Sequence, residues 1–288
     1  MNPFSVGPVA SSGKPLVFHV MPRYSSMVDA RAQRAFLSAT KGACQISFGT
    51  PGIGGSPIES QTSVLTQAFN APWCIALNLR KTNRISYWSM LHADIEPEFG
   101  YLDILVREQQ RLGCDVLSAV IPMKVPSGLT STAVGDSSWT LDFVADAIEK
   151  PRRLSMHEIY KLPRSFDVKD VCRTFPEVKE SIAHPFLMVN TGCFICDFSK
   201  PWVEEITFRF LNNNYKDDAG IWHTACRSED YDFSFQAHRL GLSVYATTLV
   251  SLNHHGDCAY PNHQAWGLQQ TDDEWAAYIA SVKTNQPK

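Results

Sequence analysis

Through the first half of the chain, short apolar runs alternate with helix-length amphipathic segments, and this alternation constrains the fold more than any other feature. Residues 16–20 read as a first strand, and 29–40 as a helix with Ala32, Ala35, Phe36 and Ala39 along one face. Residues 43–48 read as a second strand, 58–79 as a helix interrupted near Pro72, and 85–91 as a third strand. "YLDILVREQQRLG" carries Leu102, Leu105, Val106 and Leu112 on one face and ends at Gly113, a helix-stop residue. "CDVLSAVIPMK" follows, apolar enough for a strand buried on both faces of a parallel sheet. Repeated strand–helix–strand units predict an α/β layered sheet. With 288 residues, 44% of them hydrophobic, the chain can bury a sizeable core. Residues 1–14, rich in Gly, Ser and Pro, are expected to form a flexible tail, and 15–288 a single domain.

Residues 187–196 and 243–252 read as strands, 229–240 and 272–282 as helices, and "NHHGDCAYPNH" as a loop, while 127–153 has no clear period. "GTPGIGGSP" is Gly-rich, but no Gly-Lys-Ser/Thr follows, so it is no P-loop. A net charge of −3 gives no basic excess for a polyanion. The N-terminal stretch lacks a charged region followed by a long apolar one, and no window approaches the ~18 apolar residues of a membrane span. The expected location is the cytoplasm of a bacterium or of a phage-infected host, with no membrane partner. Eight scattered cysteines in a chain of this length are read as reduced core residues.

Four constellations carry candidate chemistry. In "HADIEP", a strand running on through the motif would point His92, Asp94 and Glu96 the same way. Carboxylate and imidazole there suit a manganese or magnesium ion, and a solvated strand end is the plain alternative. In "SEDYDF", Ser228 is a candidate N-cap and Glu229, Asp230 and Asp232 fill the first helical turn. Acids there stabilise a helix by about 0.3–1 kcal/mol each, so a base facing a cleft and a simple dipole partner are both open. In "NHHGD", His254 and His255 precede Gly256 as candidate metal ligands. Cys193 and Cys196 could join His254 and Cys258 around zinc, but positions three apart on a strand face opposite sides, which argues against it. Trp222, Tyr231, Tyr260 and Trp266 are candidate stacking platforms for an acceptor, or core aromatics.

In this order and spacing the motifs resemble nucleotide-sugar glycosyltransferases of the GT-A fold, of the glycosyltransferase family 2-like kind and of a phage type; the pattern covers roughly residues 15–262. The resemblance implies a GT-A Rossmann-like, mixed but mostly parallel sheet flanked by helices. It divides the domain into a nucleotide-sugar half, about 15–125, and an acceptor half, about 126–288. His92-Ala93-Asp94 matches the family's Asp-x-Asp, with His92 in place of the first acid and Asp94 as the metal carboxylate. His254 matches the family's His-x-Gly and becomes the second metal ligand, with His255 as the alternative. Asp230 matches the position of the base in inverting members, with Glu229 beside it. Thr191 and Gly192 match the turn near the donor and acceptor sugars, and the loop with Pro22, Arg23 and Tyr24 is implied to lie near the nucleotide base. The implied cofactor is Mn2+ or Mg2+ and the implied donor a nucleoside-diphosphate sugar, UDP-sugar foremost. The acceptor is left among a glycan, a small molecule and a hydroxymethylated DNA base. Two alternatives stand: a nucleotidyltransferase, for which "MPRYSSM" offers Arg23 alone as a basic residue, and a non-catalytic nucleotide- or carbohydrate-binding protein in which His92 marks a decayed metal motif.

Overall fold

The computed structural model describes residues 13–23, 28–48, 59–61, 64–138, 151–216 and 219–267. The first half contains β1 (Leu16–Arg23), α1 (Ala30–Leu37), β2 (Gln45–Phe48), β3 (Glu59–Gln61), α2 (Leu65–Asn83), β4 (Tyr87–Leu91), β5 (Ile95–Pro97), α3 (Tyr101–Leu112) and β6 (Val116–Ala119). There follow β7 (Leu129–Asp136), β8 (Arg152–Ser155), α4 (Met156–Ile159), β9 (Ser165–Phe166), α5 (Val168–Thr174), α6 (Pro176–Ser181), β10 (Pro185–Met188) and β11 (Cys193–Asp197). The last described elements are β12 (Leu211–Lys216), β13 (Trp222–Arg227), α7 (Glu229–Arg239), β14 (Val244–Thr247), β15 (Leu252–His255) and β16 (Ala259–Pro261). The expected helix at 272–282 lies outside the described residues, as do residues 1–12 of the expected tail.

The architecture is mixed α/β, as the alternation predicts. An eight-stranded sheet runs in the order β2-β1-β4-β11-β6-β14-β9, with β3 also on β1. β1 is parallel to β2, β3 and β4, and β6 is parallel to β14. β11 is antiparallel to both β4 and β6, so one reversed strand sits in the middle of otherwise co-directional neighbours. Successive side chains leave the strands on opposite faces, and each face has its own core. Phe18, Trp88, Met90, Val116 and Phe194 pack with Phe69, Trp73 and Ala76 of α2 and with Phe233 of α7. Val17, Leu91, Leu117 and Ile195 pack with Phe36 of α1 and with Leu102 and Leu105 of α3. Cys193 belongs to the second core and Cys196 to the first, so the two thiols face opposite sides of the sheet. All eight cysteines are free.

Helix ends follow local chemistry. Asp29 caps α1 by accepting from the Arg31 amide at 2.8 Å, and Gly113, with φ at +65°, ends α3 in the left-handed region. Four sequence expectations are corrected. Helix α2 runs unbroken through Pro72, because Ala68, Phe69, Trp73, Ala76 and Leu79 are packed on the sheet and Trp73 Nε1 donates to Val203 O at 3.0 Å; this packing outweighs the one intrahelical bond that Pro72 removes. The expected strand 187–196 is two strands, β10 and β11, divided by a turn in which the Gly192 amide donates to Asn190 Oδ1 at 2.6 Å. The expected strand 243–252 is likewise split, with β14 in the main sheet and β15 beside β5. The presumed loop after it is an antiparallel hairpin, β15–β16. Residues 127–153, without a clear period, include β7 and the start of β8. Among the described residues no helix is long and apolar enough to cross a membrane.

Candidate functional site

The carboxyl ends of β1, β4 and β6 open on one edge of the large sheet, and β11, running the other way, begins there. Loops at the carboxyl edge of a parallel sheet are where open α/β sheets bind ligands. The segments brought to this edge are His92–Asp94 after β4, the Lys124 turn after β6, Asn190–Gly192 before β11, and Pro22 and Arg23 at the end of β1. Pro22 is buried and pairs with Ser60 of β3. Tyr24 lies outside the described residues.

His92, Asp94 and Glu96 do not share a strand face, which corrects the sequence reading. The strand stops at Leu91; the Ile95 amide donates to His92 O at 3.2 Å, closing a turn around Ala93 and Asp94 before β5 starts in another sheet. Glu96 therefore turns to His255, its Oε2 2.8 Å from His255 Nε2. Asp94 Oδ2 instead meets Lys124 Nζ and stands 3.5 Å from His254 Nε2. Adjacent residues of β15 thus face opposite ways, His254 to Asp94 and His255 to Glu96. The His255 amide donates to Asp94 O at 2.8 Å, but its ring is engaged by Glu96, and His254 is the histidine whose ring reaches the Asp94 carboxylate.

This cluster determines what cation the site suits. His254 Nδ1 lies 2.7 Å from Pro122 O, which holds the ring so that Nε2 faces Asp94. Burial alone would raise the Asp94 carboxyl, but His254, Lys124 and His92 together outweigh it and hold it below the usual carboxylate range. Burial keeps the His92 imidazole below its usual range, against the pull of Asp230 and Asp94. His92 Nε2 is buried and has no hydrogen-bond partner. Among the described residues no three His, Cys, Asp or Glu side chains form a ligand cluster. The protein thus offers one carboxylate and one imidazole, with His92 nearby. Two such donors would suit a magnesium or manganese ion only if other oxygen ligands completed its shell.

The second half of the site is the start of α7. Asp230 does not cap its own helix. Its Oδ1 accepts from the Thr191 amide at 3.0 Å and from the Thr191 hydroxyl, and its Oδ2 accepts from Asn190 Nδ2 at 2.7 Å. The carboxylate thereby holds the turn that carries Thr191 and Gly192 to the edge. Gly192 is required there, since a Cβ would come 2.6 Å from Asn190 Oδ1 and 2.9 Å from His92 Nδ1. Beside it, burial pushes the Glu229 carboxyl up to about 7, and the Asp230 charge adds to the rise. Asp232 is fully buried and held by Arg209 at 2.8 and 3.0 Å, a structural acid. Ser228 occupies the N-cap position without a side-chain cap bond.

Of the four aromatic candidates, two stay together. Tyr260 and Trp266 have ring centroids 5.7 Å apart and, with Pro126 and Cys258, line an open cleft of about 430 Å³. Tyr231 is core: it is buried with Phe186, Met188 and Phe235, and the Arg153 guanidinium lies 5.4 Å from its ring centre. Trp222 is 66% exposed at the end of the β12–β13 hairpin farthest from α7, about 16 Å along the strand from Arg227.

Trp266 is anchored by two glycines. Gly128 (φ +76°) and Gly267 (φ +106°) abut so closely that a Cβ on Gly128 would lie 2.2 Å from Trp266 O, and one on Gly267 2.3 Å from Ser127 O. Gly267→Ala is expected to destabilise the protein by about 2–5 kcal/mol, from the left-handed backbone and the clash together. Urea unfolding of the variant checks this; a change below 1 kcal/mol would mean the two segments separate at little cost.

Lys124 and Asn190 were missed by motif reading. Asn-Thr-Gly before an apolar strand is a turn signal. The "PMKVPSG" stretch, with two prolines and a glycine after an apolar strand, marks a turn at the carboxyl edge. No family model and no curated protein matches the chain. Among solved structures it is similar to the crystal structure of A197 from STIV, at a TM-score of 0.45 and 14% identity, over 89% of this chain and 94% of that chain.

Proposed function

We propose that this chain is a GT-A-type glycosyltransferase that moves a sugar from a nucleoside-diphosphate sugar, UDP-sugar foremost, to an acceptor hydroxyl. The observation that carries the reading is the meeting of two unlike clusters at one sheet edge: Asp94, His254 and Lys124 on one side, Asp230, Asn190 and Thr191 on the other, with Glu229 next to Asp230 at the start of α7. One suits an anionic diphosphate with a divalent cation, the other suits proton removal.

Asp94 and His254 would hold Mn2+ or Mg2+, which supplies Lewis-acid stabilisation to the departing diphosphate. His254 is oriented for that by Pro122 O, and the Asp94 carboxyl stays ionised beside its cations. Asp230 positions the Asn190–Gly192 turn against the sugar. Glu229 accepts the proton of the acceptor hydroxyl, since a carboxyl poised near 7 is matched to that work at neutral pH, while both Asp230 oxygens are already engaged by donors. Tyr260 and Trp266 offer an acceptor an aromatic wall. The acceptor class is a glycan, a small molecule or a hydroxymethylated DNA base.

A thermal-shift panel of UDP-, GDP-, ADP- and TDP-sugars, with and without manganese, tests the reading. At 100 times its dissociation constant the true donor stabilises the fold by about 2.7 kcal/mol. The expected result is a shift with one nucleotide that requires manganese. No shift with any donor under either condition sinks the assignment.

A further inference from the structure

The Lys124 side chain has no role in the motif reading, yet it sits on the atom a metal would need. Its Nζ bonds Asp94 Oδ2, the same oxygen that faces His254 Nε2 at 3.5 Å. The backbone beneath it is fixed: the Met123 amide donates to Leu129 O at 2.8 Å and the Ser131 amide to Ile121 O at 2.9 Å. The side chain, by contrast, is 35% exposed and runs over Gly256, where a Cβ would come within 3.0 Å of Lys124 Cδ. A rigid turn therefore presents a four-carbon stem whose head can leave Asp94 without any backbone movement.

We propose that Lys124 is a built-in counter-cation: it occupies the Asp94 carboxylate in the free protein, yields it to the divalent ion, and moves to the diphosphate that arrives with that ion. This rests on the metal-dependent reading above. An ammonium bonded to Asp94 Oδ2 and a divalent ion on the same oxygen repel each other at short range, so the two states exclude one another. Lysine is a strong point-charge partner for phosphate, which makes the diphosphate its natural second station. Metal alone must displace Lys124 without recompense and binds weakly, whereas metal and diphosphate together satisfy all the charges. Binding of the two is therefore cooperative and, by linkage, reciprocal.

The test is titration of the full chain with Mn2+, followed by the paramagnetic resonance signal of free Mn2+, with and without UDP, GDP, ADP or TDP. The wild type should bind Mn2+ weakly alone and at least roughly tenfold more tightly with one of the nucleotides. Lys124→Gln should bind Mn2+ alone roughly tenfold more tightly than wild type and lose most of that coupling. Lys124→Arg keeps the charge and should keep the weak affinity; it also guards against a folding defect in the glutamine variant. Equal Mn2+ affinity for wild type and Lys124→Gln overturns the proposal while leaving the metal reading intact. Mn2+ binding by neither protein, with every nucleotide present, overturns both.

Discussion

Glu229→Gln is expected to yield a protein more heat-stable than the wild type above pH 7 and nearly devoid of transfer. The folded Glu229 carboxyl titrates at about 7 against an ordinary value of 4.5, because it is buried and lies beside Asp230. Between those two pH values the folded state holds a proton that the unfolded state has released. Stability from this group therefore falls as pH rises from 4.5 through 7, and above 7 the full cost of a buried carboxylate is present. Glutamine carries no charge, so at pH 8 the variant should gain about 2–4 kcal/mol, and at pH 4.5 the gain should vanish. Loss of a general base should lower transfer by on the order of 10²–10⁴-fold. Thermal melts at pH 4.5 and 8, with an activity assay, check both parts. A variant no more stable at pH 8 than at pH 4.5, relative to wild type, would mean Glu229 is solvated; an active variant would return the base to Asp230.

Asp94→Asn is expected to remove the metal-dependent part of donor binding and to leave the fold standing. The Asp94 side chain is 41% exposed, and its pairing with Lys124 is of the partly solvated kind that contributes about 1 kcal/mol or less. Asparagine keeps the shape but loses the charge that a divalent ion requires. Transfer should fall on the order of 10²–10³-fold, the scale of removing one preorganised charge-stabilising group. The measurement is the manganese-dependent thermal shift with the donor. A variant that keeps the full shift and turns over like wild type would take the metal away from Asp94.

Much of the frame could be read from local pattern, and the failures have physical causes. Strand β1 and helices α1 and α3 are legible because each has a clean apolar period and a recognisable end, Asp29 for α1 and Gly113 for α3. Proline at 72 misleads because its cost is local while the packing of Phe69, Trp73 and Ala76 that outweighs it is tertiary. The splits at Asn190–Gly192 and Thr248–Ser251 hide inside long apolar runs, where one short turn sends the chain to a different sheet. At the site, Asp94, His254 and Asp230 could be proposed from sequence, since each lies beside a strand or helix end. Their partners Lys124, Pro122 and Asn190 could not, since they are brought in from other segments and no spacing rule links them, while Thr191 is legible through the family resemblance alone. Glu96 is the opposite case: its spacing from Asp94 suggests a shared face, but the turn at Ala93 and Asp94 redirects it to His255.

The reversed strand β11 also bears on how the chain is made. Its partners β4 and β6 come from residues 87–119, whereas β11 itself comes from 193–197. As the polypeptide leaves the ribosome, β2, β1, β4 and β6 emerge first, with the place between β4 and β6, about two strand spacings or ~10 Å wide, still empty. That slot stays open while some seventy further residues, roughly, are synthesised, and closing it is a long-range event of the kind that slows folding. The nascent half is thus an unfinished sheet with two facing raw edges. A fragment cut near residue 125 would inherit that exposed interior, and the two pieces would depend on each other to complete it.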